Sequence, residues 1–238
     1  MTDTRLDVSL PASRDGMPSV RRNHRHHRNG SHAVLGLTLA AALAAALTGC
    51  GVALPDKPVR PELYDFGPSV SQPQAAPTGV PVALGPLDVP QALDSSRMLY
   101  RLAYADAQLP SPYAHARWSM SPAQLLHQRL RAVLGEQHPV VLVGEGYARI
   151  ELRVELEEFS QVFTSAQDSH GLIRVRATAL APNNLGDRLL GQRGFEVTAP
   201  APTPDAVGGV KALTQASDQL TRAISDWVNG LPLEASVR

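Results

Sequence analysis

A chain with one cysteine cannot close an internal disulfide, and Cys50 is the only cysteine in these 238 residues. Packing alone must hold the fold, even in an oxidising compartment. Neither charge is in surplus, with 22 basic and 22 acidic residues. No Gly-x-Ser-x-Gly elbow, phosphate loop or dinucleotide fingerprint occurs, and Gly208-Gly209 on its own signals nothing. A metal site needs several His, Cys or carboxylate ligands brought together. Of the eight His, four precede Cys50 and the others, His115, His127, His138 and His170, are scattered. Asp168-Ser169-His170 has the residue types of a catalytic triad, but three consecutive residues in a turn cannot face one another as a nucleophile, base and orienter must. The residues therefore indicate no enzyme, no cofactor and no metal.

Long apolar runs are also scarce. The one that stands out, Ala33 to Leu47, is shorter than the about 20 residues a spanning helix needs, follows Arg21, Arg22, Arg25 and Arg28, and ends at Leu47-Thr48-Gly49-Cys50. A basic block, a short apolar run and small residues before a cut point read as an export signal. Leu-Thr-Gly-Cys resembles the lipobox of bacterial lipoproteins, which implies cleavage before Cys50 and covalent lipid on its thiol. A short transmembrane anchor or an ordinary buried cysteine are the alternatives, and both fit the run less well. Gly51 stands where an Asp would resemble an inner-membrane retention signal, so the expected location is the outer membrane, facing the periplasm, with the inner membrane as alternative. Met1 to Gly16 carries Asp3, Asp7 and Asp15, which suit a signal badly, and Met17 is a reasonable true start. Six of the basic and three of the acidic residues precede Cys50, leaving 16 against 19 and a net charge near −3. That balance gives no electrostatic reason to expect nucleic acid or an anionic lipid surface as a partner.

The chain divides into a signal (1–49), a lipidated cysteine and Pro-rich tether (50–80), a domain (81–232) and a tail (233–238). Within the tether, Leu63-Tyr64-Asp65-Phe66-Gly67-Pro68 reads either as a first strand or as a sticky linker. Strand patterns run through Val80–Val89, broken at Gly85-Pro86, then Met98–Tyr104 and Val140–Val143. From Ile150 to Leu156 apolar and charged residues alternate, and Glu157-Glu158 breaks the phase as a bulge would. Ile173–Ala179 and Gly191–Val197 supply antiparallel partners, with Glu and Arg pairing across a solvated face. Ala105–Gln108 reads as a turn and Leu109–Ser119 as an approach to a helix. That helix opens on Ser121-Pro122-Ala123-Gln124, a hydroxyl cap, Pro at the first position and Gln at the third, and ends near Gly135. A last helix runs from beyond Pro204 to Asn229, with Val210, Leu213, Leu220, Ile224, Trp227 and Leu231 as its stripe. The expected fold is a single α/β domain: a mixed, largely antiparallel sheet of about five or six strands covered by two helices.

Several of these stretches together resemble one family. The lipobox, Tyr64 to Pro68, Met98-Leu99-Tyr100-Arg101, Tyr113, Arg117-Trp118-Ser119 and Pro122-Ala123-Gln124-Leu125-Leu126 are similar, in order and spacing, to the ABC-type transport auxiliary lipoproteins, whose best-known relative belongs to the paraquat-inducible Pqi system. The resemblance implies a non-catalytic, lipid-anchored periplasmic domain. It implies an MCE-domain protein and its membrane components as partners in moving lipid between inner and outer membranes, and it allows a homo-oligomer. Tyr100, Arg101, Arg117 and Trp118 have two readings: core aromatics with structural arginines, or a partner-binding surface, since Trp, Tyr and Arg are the usual interface anchors. The other functions weighed are an envelope-assembly lipoprotein that chaperones an outer-membrane protein and, weakest, a lipoprotein hydrolase.

Overall fold

The structure is a computed structural model that describes residues 59–68, 76–183 and 186–233. Cys50 and the segment read as a signal lie outside the described residues. Among those described, the order is β1 (Glu62–Tyr64), β2 (Val82–Leu84), β3 (Arg97–Leu102), β4 (Asp106–Trp118), α1 (Pro122–Gly135), β5 (Val140–Val141), β6 (Ile150–Phe163), β7 (Ser169–Ala181), β8 (Arg188–Pro200) and α2 (Ala206–Asn229).

All eight strands join one sheet, built around β6. One edge of β6 carries β7 and then β8 in a long antiparallel meander. The other edge is shared, with β2 parallel to its first residues at Ile150–Leu152 and β3 parallel to its last at Gln161–Phe163. β4 extends the sheet beyond β3 antiparallel, and β1 lies parallel to the end of β4. The long ladders are antiparallel and the parallel contacts are two or three residues each, so the sheet is mixed and largely antiparallel with two covering helices. It has eight strands where about five or six were expected: the stretch at Leu63–Pro68 opens on a first strand, one of its two readings, and β4 is the strand not foreseen.

β4 is the larger correction. The stretch expected to lead into a helix pairs with β3 through Pro110 and Pro112. Proline has no N–H to give a ladder and is confined to strand edges. β1 covers only Ala116–Trp118, so the proline half of β4 has a neighbour on one side alone. β1 lies inside the stretch read as tether, so the residues that join the sheet begin at Glu62. Leu142 and Val143, expected in a buried strand, are 57% and 50% exposed beyond the two residues of β5, where the chain turns through Gly144 at φ 89° and Gly146 at φ 72°.

Alternation along β6 and β7 buries Ile150, Leu152, Val154, Leu156, Ile173, Val175, Ala177 and Ala179 under the helices. The opposite face carries ion pairs between Arg174 and Glu196 and between Arg176 and Glu157, each 2.6 Å. A register shift between Leu156 and Glu158 marks the bulge that restores Phe159 to the core. Phe159, Trp118 and Phe66 pack edge-on or stacked, with centroids 5.6–6.2 Å apart.

α1 starts at the expected cap, where Gln124 Oε1 accepts the Ser121 N–H at 3.2 Å, and buries Leu125, Leu126, Leu130 and Leu134. α2 is capped by Asp205, whose carboxylate accepts the Gly208 N–H at 2.8 Å, and ends at Gly230. Two of its buried hydroxyls are satisfied within the helix, Ser217 on Leu213 O at 2.8 Å and Thr221 on Ser217 O at 2.9 Å, whereas Ser225 Oγ has no partner among the described residues. The helices join through Arg129, which reaches Asp218 at 3.4 Å and donates to Phe66 O at 2.8 Å.

Candidate partner-binding surface

The four residues singled out in the sequence fall on β3 and β4, and the pleat separates them. Trp118 is 1% exposed and belongs to the aromatic core. Its neighbour Arg117 points to the opposite face, half-buried, in register with Leu63 of β1 and Arg97 of β3. Tyr100 faces inward against Tyr113 and Phe163, at 4.7 and 6.0 Å. Arg101 donates to Glu158 at 2.9 Å and to Ala107 O at 3.3 Å. The four therefore form no single patch: two are packing residues, one is held by a carboxylate, and Arg117 is left on the open face.

Beneath Tyr100 lies a buried polar network that the sequence reading missed. Gln161, with no exposed surface, accepts from the Tyr113 hydroxyl at 2.8 Å and donates to Ser169 Oγ at 2.8 Å. Burial pushes the Tyr113 phenol well above its ordinary value, so it stays a neutral donor. The start of α2 crosses this network at Gly209. A Cβ there would lie 2.0 Å from Gln161 Oε1 and 2.8 Å from Met98 Cε. Gly171 allows a second close approach, since its Cβ would meet the Leu213 backbone N at 2.8 Å. These glycines let the helix sit directly on the sheet, which is the role that the pair at 208–209 conceals in the sequence.

The His residues serve different ends. His138 is buried, with Nδ1 3.0 Å from Val80 O and Nε2 2.7 Å from Asn229 Oδ1, and ties the end of α2 to the strand entering β2. His127 lines an open groove of about 600 Å³ between α1 and the β2–β3 connection, floored by Leu87, Val89 and Ala123. Burial lowers its pKa, with Arg131 adding to the effect. No group of three or more His, Cys, Asp or Glu suited to a metal ion occurs among the described residues. No helix among them is long and apolar enough to cross a membrane.

The architecture, two helices on one face of a mixed eight-stranded sheet, recurs in solved structures. Protein XCC0632 from Xanthomonas campestris, of the DUF330 family, matches with a TM-score of 0.60 at 19% identity over 70% of this chain and 94% of that one. A second crystal structure, of an uncharacterized protein, matches at 0.56 and 16% identity over 71% and 99%. These likenesses establish the fold. No curated protein matches the chain. The family of ABC-type transport auxiliary lipoprotein components matches residues 62–225, from the first residue of β1 to within the last turns of α2, and this chain belongs to that family.

Proposed function

We propose that the protein is a non-catalytic, lipid-anchored component of an ABC- and MCE-type lipid transport system, which docks or assembles the apparatus between the inner and outer membranes. The observation that carries this reading is the family match over residues 62–225, from β1 into the last turns of α2. Cys50 is the acylated residue, the anchor lies in the outer membrane and the domain faces the periplasm. The partner is an MCE-domain protein with its permease, which supplies the energy. Gln161, Tyr113 and Ser169 are hydrogen-bonded to one another and serve packing in this reading. A strain lacking this protein and one lacking the permease are expected to share one degree of detergent sensitivity, and the double deletion to add nothing. Additive sensitivity contradicts the proposal.

A further inference from the structure

Four arginines on the sheet, Arg101, Arg153, Arg174 and Arg176, each have a carboxylate within 3.3 Å. Arg97 and Arg117 differ. They are direct partners across the β3–β4 ladder, and neither enters an ion pair among the described residues. Arg97 is exposed, and among the described residues its guanidinium reaches Ser95 Oγ alone, at 3.5 Å from Nε. Met98 and Trp118, next in the chain to each, are 0% and 1% exposed, so alternation sends both guanidinium groups to the face away from the helices. Like charges directly opposite destabilise a sheet unless an anion lies between or over them. Leu63, in register with Arg117, adds an apolar side chain that is 68% exposed.

Resting on the lipid-anchor reading, we infer that this corner of the sheet lies on the phospholipid headgroups of the membrane that holds the chain, with Arg97 and Arg117 on phosphate oxygens and Leu63 against the interface. Arginine forks match phosphate bidentately and neutralise each other's repulsion through it. The chain also sets a short tether to this corner. β1 is the first element among the described residues and begins 12 residues after Cys50, a reach of about 40 Å at full extension. The tether expected over 50–80 would leave the domain free to stand off, whereas the pairing of β1 with β4 shortens it to the residues before Glu62. The net charge near −3 opposes attraction of the domain as a whole. Charges beyond about 10 Å are screened, however, so the local arginine pair sets the orientation of a domain already held near the surface. A contact too weak to recruit a free protein becomes effective once a tether raises its local concentration.

The test uses the acylated protein purified from its own membrane, placed in phosphatidylglycerol nanodiscs or kept in detergent and treated with the arginine reagent phenylglyoxal, with the exposed Arg222 of α2 as internal reference. Arg97 and Arg117 are expected to react at least fivefold more slowly in the discs, and Arg222 equally in both. In an R117Q chain the protection of Arg97 is expected to fall. Equal rates in discs and detergent overturn the inference, as does protection that appears only with a transporter partner present, which would assign the pair to an acidic protein segment. The mass of the Cys50 peptide separates the two premises: an unacylated cysteine removes the anchor and this inference together, whereas an acylated chain with unprotected arginines removes the inference alone.

Discussion

Gly209→Ala sets two effects of opposite sign against each other. In an exposed helix interior this change stabilises by about 1 kcal/mol, because Ala is the better helix former. Here the added Cβ would stand 2.0 Å from Gln161 Oε1 and 2.8 Å from Met98 Cε. Gln161 must then turn away, giving up its bonds to Tyr113 and Ser169, both 2.8 Å. Stranding a buried donor or acceptor costs about 1–3 kcal/mol and overpacking a further 1–3. The net expectation is a loss of about 2–4 kcal/mol. At about 2–4 °C per kcal/mol for a domain of this size, the melting temperature falls by about 5–15 °C. Urea and thermal unfolding of the purified protein read this directly. A Gln161→Ala background, which removes the obstructing amide, is expected to shrink the penalty, so the cycle shows coupling of at least about 1 kcal/mol. An unchanged or raised melting temperature for Gly209→Ala refutes the close approach, and a penalty unchanged by Gln161→Ala refutes the network.

Trp118→Ala removes the centre of the aromatic core and is expected to cost about 3–5 kcal/mol, whereas Arg117→Ala next to it shifts stability by no more than about 0.5 kcal/mol; similar losses in denaturant unfolding would contradict the opposite facing of the two. Arg101→Ala leaves Glu158, 14% exposed at its side chain, without its partner, and is expected to cost about 1.5–3 kcal/mol, most of it recovered when Glu158→Gln is added. The N–H of Gly208, and secondarily the hydroxyl of Thr203, hold the Asp205 carboxyl below its ordinary value of 3.8. A depressed carboxyl contributes stability that is full above its unfolded value and lost as pH falls through the folded one. Asp205→Ala is therefore expected to cost about 1 kcal/mol at pH 7, with the gap to the parent closing below about pH 4. A gap that is constant with pH would contradict the charged cap.

Local signals were legible where sequence neighbours decide the structure. Alternation through Ile150–Leu156 gave β6, the paired acids at Glu157-Glu158 gave its bulge, and the cap residues gave the start of α1 and the end of α2. What stayed hidden depends on residues far apart in the chain. The choice between strand and linker for β1 turns on Ala116–Trp118 lying beside it, and Pro110 and Pro112 disguise β4 because a half-covered strand tolerates what a central one does not. The same concealment affected the site. Arg117 and Trp118 admitted two readings, core and surface, while their stretch was not recognised as a strand, and the pleat divides them between core and open face. The Arg97–Arg117 pair follows from a hairpin register with an irregularity between Arg97 and Leu99, which no local pattern announces. Gln161 likewise joins Tyr113, 48 positions away, and Gly209 of another element.

The transport role is tested most directly by a mild-detergent pull-down of the tagged, acylated protein from its native envelope, with mass spectrometry of what accompanies it. An MCE-domain protein together with its permease is expected. Recovery of a β-barrel protein without either, or of no specific partner, contradicts it.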